Sequence, residues 1–554
     1  MAWRSIVIIG IFRVLNTTRR WFDDNIVELG REMRLSYLPP LMVYMAAGIS
    51  GLTGIVGTFF VKEYLGLSAE FLAALGFWVG IPWAVKMPLG HIVDLIWRHK
   101  SGLVYLGAGL IATSLLIMVG LIGDPDRMRA IMPVPAWYVL AALLAPIGYV
   151  LQDVVADALT VEAVPRIDAA GRQINPARRK LMNTTVQTLG RVAIIGGSVV
   201  VALINVYLFR NVEALSQPEK AEIYQQVYAA ALVIPAISVL GVMLAGILRH
   251  RDAQLLARQG LPPEKIHDLL WGRTEKTEPN PWILGGGLLF VVFSLSLGLA
   301  DLRFGQEIIF AGSLGIVVFL MLKLVRTLEP DARRTLLGTA IVIFVYRAIP
   351  TPGPGVTWWM IDDLGFDQRF LSVLSLIAAG LTLVGMFMFR RFMAERSITY
   401  IVAVLTIAGT LLGLPILGIF YGFHHWTAEV TGGVVDARFI ALVDTALESP
   451  LGQIAMIPML AWIANSAPVN LKATFFAVMA SFTNLALSLS QLGTKYLNQI
   501  FTVTREVTDP ASGAVKIPSD YSELGALMLT AGAIGLVLPL LVILVARFLG
   551  WRSA

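Results

Sequence analysis

Stretches of about twenty apolar residues recur along the whole chain, each long enough to cross roughly 30 Å of hydrocarbon as a helix. Backbone inside lipid has to satisfy its own polar groups, so segments of this kind fold as helices packed side by side. The first six centre near Ser50, Val79, Ala112, Ala145, Gly196 and Pro235. A polar stretch, RHRDAQLLARQGLPPEKIHDLLWGRTEKTEPN, separates them from a hairpin, PWILGGGLLFVVFSLSLGLA and IIFAGSLGIVVFLMLKLV. Six more follow, centred near Phe344, Ala379, Ala408, Met456, Leu485 and Val537, for a total of about fourteen. At 56% hydrophobic and 14% charged residues, the 554-residue chain is too apolar for a soluble globular protein. The expectation is an all-α polytopic membrane protein.

Lysine and arginine orient the bundle, because loops on the cytoplasmic side carry them in excess. With the N-terminus inside, Arg98 and Lys100, then Arg166, Arg172 and Arg178, then Arg390, Arg391 and Arg396 all fall in cytoplasmic loops. Few bases fall opposite, among them Lys62, Arg127, Arg129 and Lys220. The excess fits both termini inside, and counting the hairpin as two spans keeps the pattern in phase. It also accounts for the formal charge of +6 without a nucleic-acid partner. The expected divisions are a cytoplasmic arm at 1–36, a six-helix bundle at 37–248, a central loop at 249–280, the extra hairpin at 281–325 and a second six-helix bundle at 326–554. The arm is read as a partly amphipathic segment lying against the membrane surface. The expected location is multi-pass integral, in a bacterial inner (plasma) membrane.

Several function classes are set aside. With no cysteine there is neither a disulfide framework nor a thiolate metal site. No metal-ligand spacing, nucleophile elbow or phosphate loop is present, and the loops are too short for a separate catalytic domain. The expectation is no enzyme, no metal and no cofactor. His91 and His99 read as solvated loop residues, and His424 with His425 as polar outer surface. Gly285, Gly286 and Gly287 lie within a span and read as close helix packing.

The informative residues are the charges left inside spans: Lys86, Asp153, Asp157, Arg191 and Arg347, with Asp444 and Glu448 near an outer end. Each would be costly facing lipid, so each should face the bundle interior or a wet cavity and have a partner. In VLQDVVADALTVEAV, Asp153 and Asp157 stand one turn apart on one helical face. Two carboxylates there cannot both ionise comfortably in a dry site, which makes one a candidate proton carrier. The competing reading is a buried ion pair to Lys86, Arg191 or Arg347 that only holds helices together. Glu162, nearer the cytoplasm, reads as a loop-side gate or an ordinary solvated acid.

Two further stretches carry structure. In PLGHIVDLIWRHKSG, Gly90 and Asp94 precede Arg98 at helical spacing, a pattern suited to close helix approach and to an aspartate latch. Its bland alternative is a solvated turn with a weak surface ion pair. In AIVIFVYRAIPTPGPGVTWWMIDDLGF, three prolines and two glycines must break the helix beside Arg347, freeing backbone groups near a cation. Tyr346, Trp358 and Trp359 could stack on a flat ring, but interfacial belts place tryptophans there without a ligand, and the belt is the reading taken for Trp358 and Trp359.

Two blocks of six around a polar loop, with the glycine, aspartate and basic residues after span two, resemble the major facilitator superfamily. Within it, four stretches resemble the folate-biopterin transporter (BT1) family. AVKMPLGHIVDLI is similar to its second-span motif, with Met87 inserted between lysine and proline. LQDVVADALTVEAV is similar to its fourth-span acidic signature. RAIPTPGPGVTWWMIDDLGFDQRFLSVLSLIAAGLTLVGMFMFRRF resembles its Pro-rich span. LESPLGQIAMIPMLAWIANSAPVNLKATFFAVMASFTNLALSLS resembles a late block, with Lys472 where a glutamate is usual. The resemblance implies a secondary transporter of alternating access, taking up folate- or pterin-like anions with protons. Asp153 and Asp157 would couple to protons; Lys86, Arg191, Arg347 and Tyr346 would meet the solute; Gly90, Asp94 and Arg98 would form the latch. The competing expectations are a major facilitator carrier of muropeptides or drugs, and a non-transporting assembly or scaffold protein docking through the hairpin.

Overall fold

The computed structural model describes Gly30 and residues 33–550, apart from 62–64, 66, 85, 166–173, 213–214, 271–277, 300–301, 303, 327–328, 455, 457–471 and 509–514. The arm expected at 1–36 lies almost wholly outside the described residues, as does most of the late block before Lys472.

In the first half, α1 (Leu38–Ile49) and α2 (Gly54–Phe60) make the first crossing through a tight turn at Ser50–Thr53. The next helices are α3 (Ala69–Ala84), α4 (Lys86–Leu95) and α5 (Ser101–Gly123), with short α6 (Pro125–Ile131) after them. Long α7 (Val134–Ala163) and α8 (Pro176–Leu208) come next, then α9 (Gln217–Ala230) and α10 (Val233–Arg258). The central loop contains α11 (Pro263–Leu270), and the hairpin is α12 (Pro281–Leu299) with α13 (Gly305–Val325).

The second half runs α14 (Pro330–Arg347), α15 (Gly355–Asp362), α16 (Gln368–Met388), short α17 (Arg390–Glu395) and α18 (Ile398–Leu412). After them come α19 (Leu414–Phe420), α20 (Phe423–Val430), α21 (Ala437–Glu448), α22 (Lys472–Ile500) and α23 (Leu524–Phe548). Between α22 and α23 lies a small antiparallel ribbon, β1 (Val507–Thr508) and β2 (Val515–Ile517), which apolar periodicity did not announce.

Among the described residues, 11 helical stretches are long and apolar enough to cross a membrane. The expected centres Phe344 and Leu485 fall in α14 and α22, which are helical but not among those 11. Helix contacts are close where side chains are absent: a Cβ on Gly107 of α5 would sit 2.6 Å from the Gly148 carbonyl oxygen of α7. Glycine at both positions lets these backbones touch.

The halves meet along two seams, α3 against α22, which run antiparallel, and α8 against α16. At the first, Asn484 Nδ2 donates to the Trp83 carbonyl at 3.1 Å and Gln499 Nε2 to Glu70 at 2.5 Å. At the second end of the interface, Gln368 Nε2 donates to the Tyr224 hydroxyl at 2.8 Å. The hairpin covers the α3/α22 seam and touches both sides. Gly287 packs on Pro88 of α4, Gln306 Nε2 donates to the Ala74 carbonyl at 3.0 Å, and Glu307 pairs with Lys495 of α22 at 3.0 Å. Phe77 and Ile81 of α3, Phe290 of α12, Val317 of α13 and Phe482 of α22 share one core.

Candidate substrate and proton site

Helical spacing turns Asp153 and Asp157 of α7 toward the same neighbour, and that neighbour is Lys86, the first residue of α4. Lys86 Nζ donates to Asp153 Oδ2 at 2.6 Å and to Asp157 Oδ2 at 2.8 Å. The second oxygen of Asp157 accepts from the Tyr44 hydroxyl of α1 at 2.6 Å. Arg191 of α8 attracts both carboxylates electrostatically. Four helices thus converge on one charge cluster in which two acids face two bases. The side chains of Lys86, Asp153 and Asp157 retain 17%, 20% and 40% of their exposure, so Asp157 is the member that reaches open space. A proton added to Asp157 would weaken its hold on Lys86 without first breaking the bond to Asp153.

The proline-rich break follows the expected course. Helix α14 ends at Arg347 and α15 begins at Gly355, with Gly353 at φ +79°. The freed backbone groups are taken up by a polar stripe on α22. Ser490 Oγ donates to the Ile349 carbonyl at 2.6 Å, the Thr351 amide donates to Thr494 Oγ1 at 2.9 Å, and Asn498 Nδ2 donates to the Pro352 carbonyl at 3.1 Å. Arg347 and Tyr346 line a cavity of about 300 Å³ between α14, α18, the C-terminal end of α21 and α22. Glu448, at the end of α21, lines it too. One turn earlier Asp444 is buried, its Oδ1 lacking a hydrogen-bond partner among the described residues.

The structure therefore sorts the expected site residues into two groups. Asp153, Asp157, Lys86 and Arg191 come together in the first half, whereas Tyr346 and Arg347 come together in the second. Tyr44 joins the first group unannounced, since a lone tyrosine in an apolar span carries no motif, whereas Glu448, marked by the sequence as an acid near an outer span end, joins the second. Gly90 and Asp94 stand one turn apart on α4, and Arg98 Nη2 meets His267 Nε2 of α11 in the central loop.

Three readings of single residues are corrected. His91 is buried, accepting from the Asn280 amide at 2.9 Å, because the chain leading into α12 folds over α4. Trp358 and Trp359 are buried core residues, not a belt: the helix break turns α15 inward and the chain after α22 closes over it. In that cover, the Arg505 guanidinium lies 5.1 Å from the Trp358 ring, and burial pushes it down to about 10. Of the two readings of Glu162, a loop-side gate or an ordinary solvated acid, the second is corrected: it pairs with Lys100, itself almost fully buried, and lies 3.6 Å from Arg249.

This two-halved helical bundle shares its fold with solved membrane transporters. A solved nucleoside transporter, NupG, has the same fold with a TM-score of 0.50 at 13% identity, covering 92% of this chain and 99% of that one. A POT-family transporter in complex with 5-aminolevulinic acid matches with a TM-score of 0.54 at 12% identity, over 93% of this chain and 96% of that one. Residues 306–549 match the model of the BT1 family. The chain is also 22% identical over 484 residues to a folate-biopterin transporter of Synechocystis sp., covering 86% of this chain and 77% of the relative. The second half of the chain is thus similar to the BT1 family, and the chain as a whole to a folate-biopterin transporter.

Proposed function

We propose that the protein is a secondary active carrier that takes up folate- or pterin-like anions together with protons by alternating access. The observation that carries the coupling is the bridge of Lys86 between Asp153 and Asp157, with Asp157 also held by Tyr44. Protonating one of the two carboxylates that share the ammonium leaves Lys86 with a single anionic partner. Protonating Asp157 loosens its pairing with Lys86, and an anionic solute can then compete for the ammonium. Deprotonation on the other side restores the bridge and expels the anion. Proton and solute travel together because each favours the same state of Lys86.

The cargo rests on the similarity to the folate-biopterin transporter and on chemistry. A folate offers a flat ring and an acidic tail, for which Arg347 supplies charge and Tyr346 an aromatic edge at the second-half cavity, while Lys86 and Arg191 supply charge in the first half. Labelled folate given to proteoliposomes with an inward proton gradient tests the reading. Uptake is expected to rise with the gradient, and Asp157→Asn is expected to abolish that rise while leaving exchange of solute across the membrane. Uptake indifferent to the gradient, or an Asp157→Asn protein still driven by it, would remove proton coupling.

A further inference from the structure

We infer that Glu448 selects the cargo's head group, accepting hydrogen bonds from a planar ring edge that presents two parallel N–H donors, while Arg347 holds the acidic end. This rests on the folate or pterin reading above and assigns a residue to it.

Among the described residues 13 line the cavity, and of these only Arg347 and Glu448 are charged, with opposite sign. Tyr346 adds a hydroxyl; the others, such as Ile343, Val402 and Leu487, are apolar or glycine. An apolar cavity with a few placed polar groups fixes the orientation of what it holds through those groups. A solute that is only anionic meets Glu448 unfavourably, and one that is only cationic meets Arg347 unfavourably. The charge pattern is satisfied by a molecule with an acid at one end and a hydrogen-bond donor edge at the other.

Size agrees with the head group. A volume of about 300 Å³ is at the low end for a small-molecule site, enough for a bicyclic ring. The space beside Gly409 is open, so a flat ring can lie against that wall. A 2-amino-4-oxopteridine carries its ring N3–H beside an exocyclic amino N–H, and one carboxylate can accept both. Asp444 is buried, which leaves Glu448 as the carboxylate of α21 that reaches the cavity.

Equilibrium binding to the full chain in lipid nanodiscs tests this with three probes: pterin (head only), p-aminobenzoylglutamate (acid only) and folate (both). Glu448→Gln is expected to weaken pterin and folate by about tenfold and to spare p-aminobenzoylglutamate. Arg347→Gln is expected to weaken folate and p-aminobenzoylglutamate and to spare pterin. Each variant keeps one probe, which reports that it is folded. Unchanged folate binding by Glu448→Gln, or an equal loss of all three probes, overturns the assignment of Glu448. A wild-type protein that binds none of the three overturns the folate or pterin reading itself, a result visible before any variant is made.

Discussion

Lys86 is the residue on which the first-half cluster depends, since both carboxylates of α7 use the same ammonium. Lys86→Met removes that charge and leaves Asp153 and Asp157 facing each other. The expected loss of stability is up to about 3 kcal/mol, at the lower end for a broken buried pair because Asp157 is part exposed. Thermal unfolding in detergent should show the loss, and adding Asp153→Asn to Lys86→Met should restore part of it. Equal melting of Lys86→Met and wild type would mean that the cluster holds nothing together. That acids stood inside a span was legible in LQDVVADAL, because hydrophobic context makes a charge conspicuous. Which base they met was not: Lys86 lies 67 residues from Asp153, and Tyr44 lies 113 from Asp157. His91 and Trp358 were misread for the same reason, since their burial depends on chain that folds over them from elsewhere.

At the scale of elements, the break between α14 and α15 and the polar stripe of α22 form one unit. Prolines and glycines announced the break, whereas Ser490, Thr494 and Asn498 stand among several other polar residues of α22 and carry no motif of their own. Their role became visible when they were found bonded to the carbonyls and amide of residues 349–352. Asn498→Ala removes the donor to the Pro352 carbonyl, at an expected cost of about 1–2 kcal/mol. Gly353→Ala places a Cβ at positive φ and 3.1 Å from Asn498 Nδ2, and should cost about 1–2 kcal/mol by strain. Both variants should melt earlier than wild type. Gly409→Ala, where the space is open, serves as a control that should melt unchanged. If Asn498→Ala and Gly409→Ala melt alike, the stripe is not what supports the break.

For the whole molecule, alternating access requires the halves to part on one side while they close on the other. The chain contains no cysteine, so introduced pairs report on that motion without background. Tyr224→Cys with Gln368→Cys, joined by a short thiol-reactive linker, should fix the contact between the halves seen here and stop transport. Reductive release of the linker should restore transport; full activity with the linker in place would contradict rocking at this interface. The hairpin raises the same issue, since Glu307 ties it to α22 and Gly287 seats it on α4. By itself the sequence determined the class of protein, because length and hydropathy of each span are local properties that lipid converts directly into helix. The break beside Arg347 and the presence of membrane-embedded charge were likewise local. Only the tertiary structure decided which charges met, because pairing depends on helices distant in sequence arriving at one point with the right face. It joined Lys86 to α7 and grouped Arg347 with Glu448 at a cavity, and it laid the hairpin across the seam between the halves.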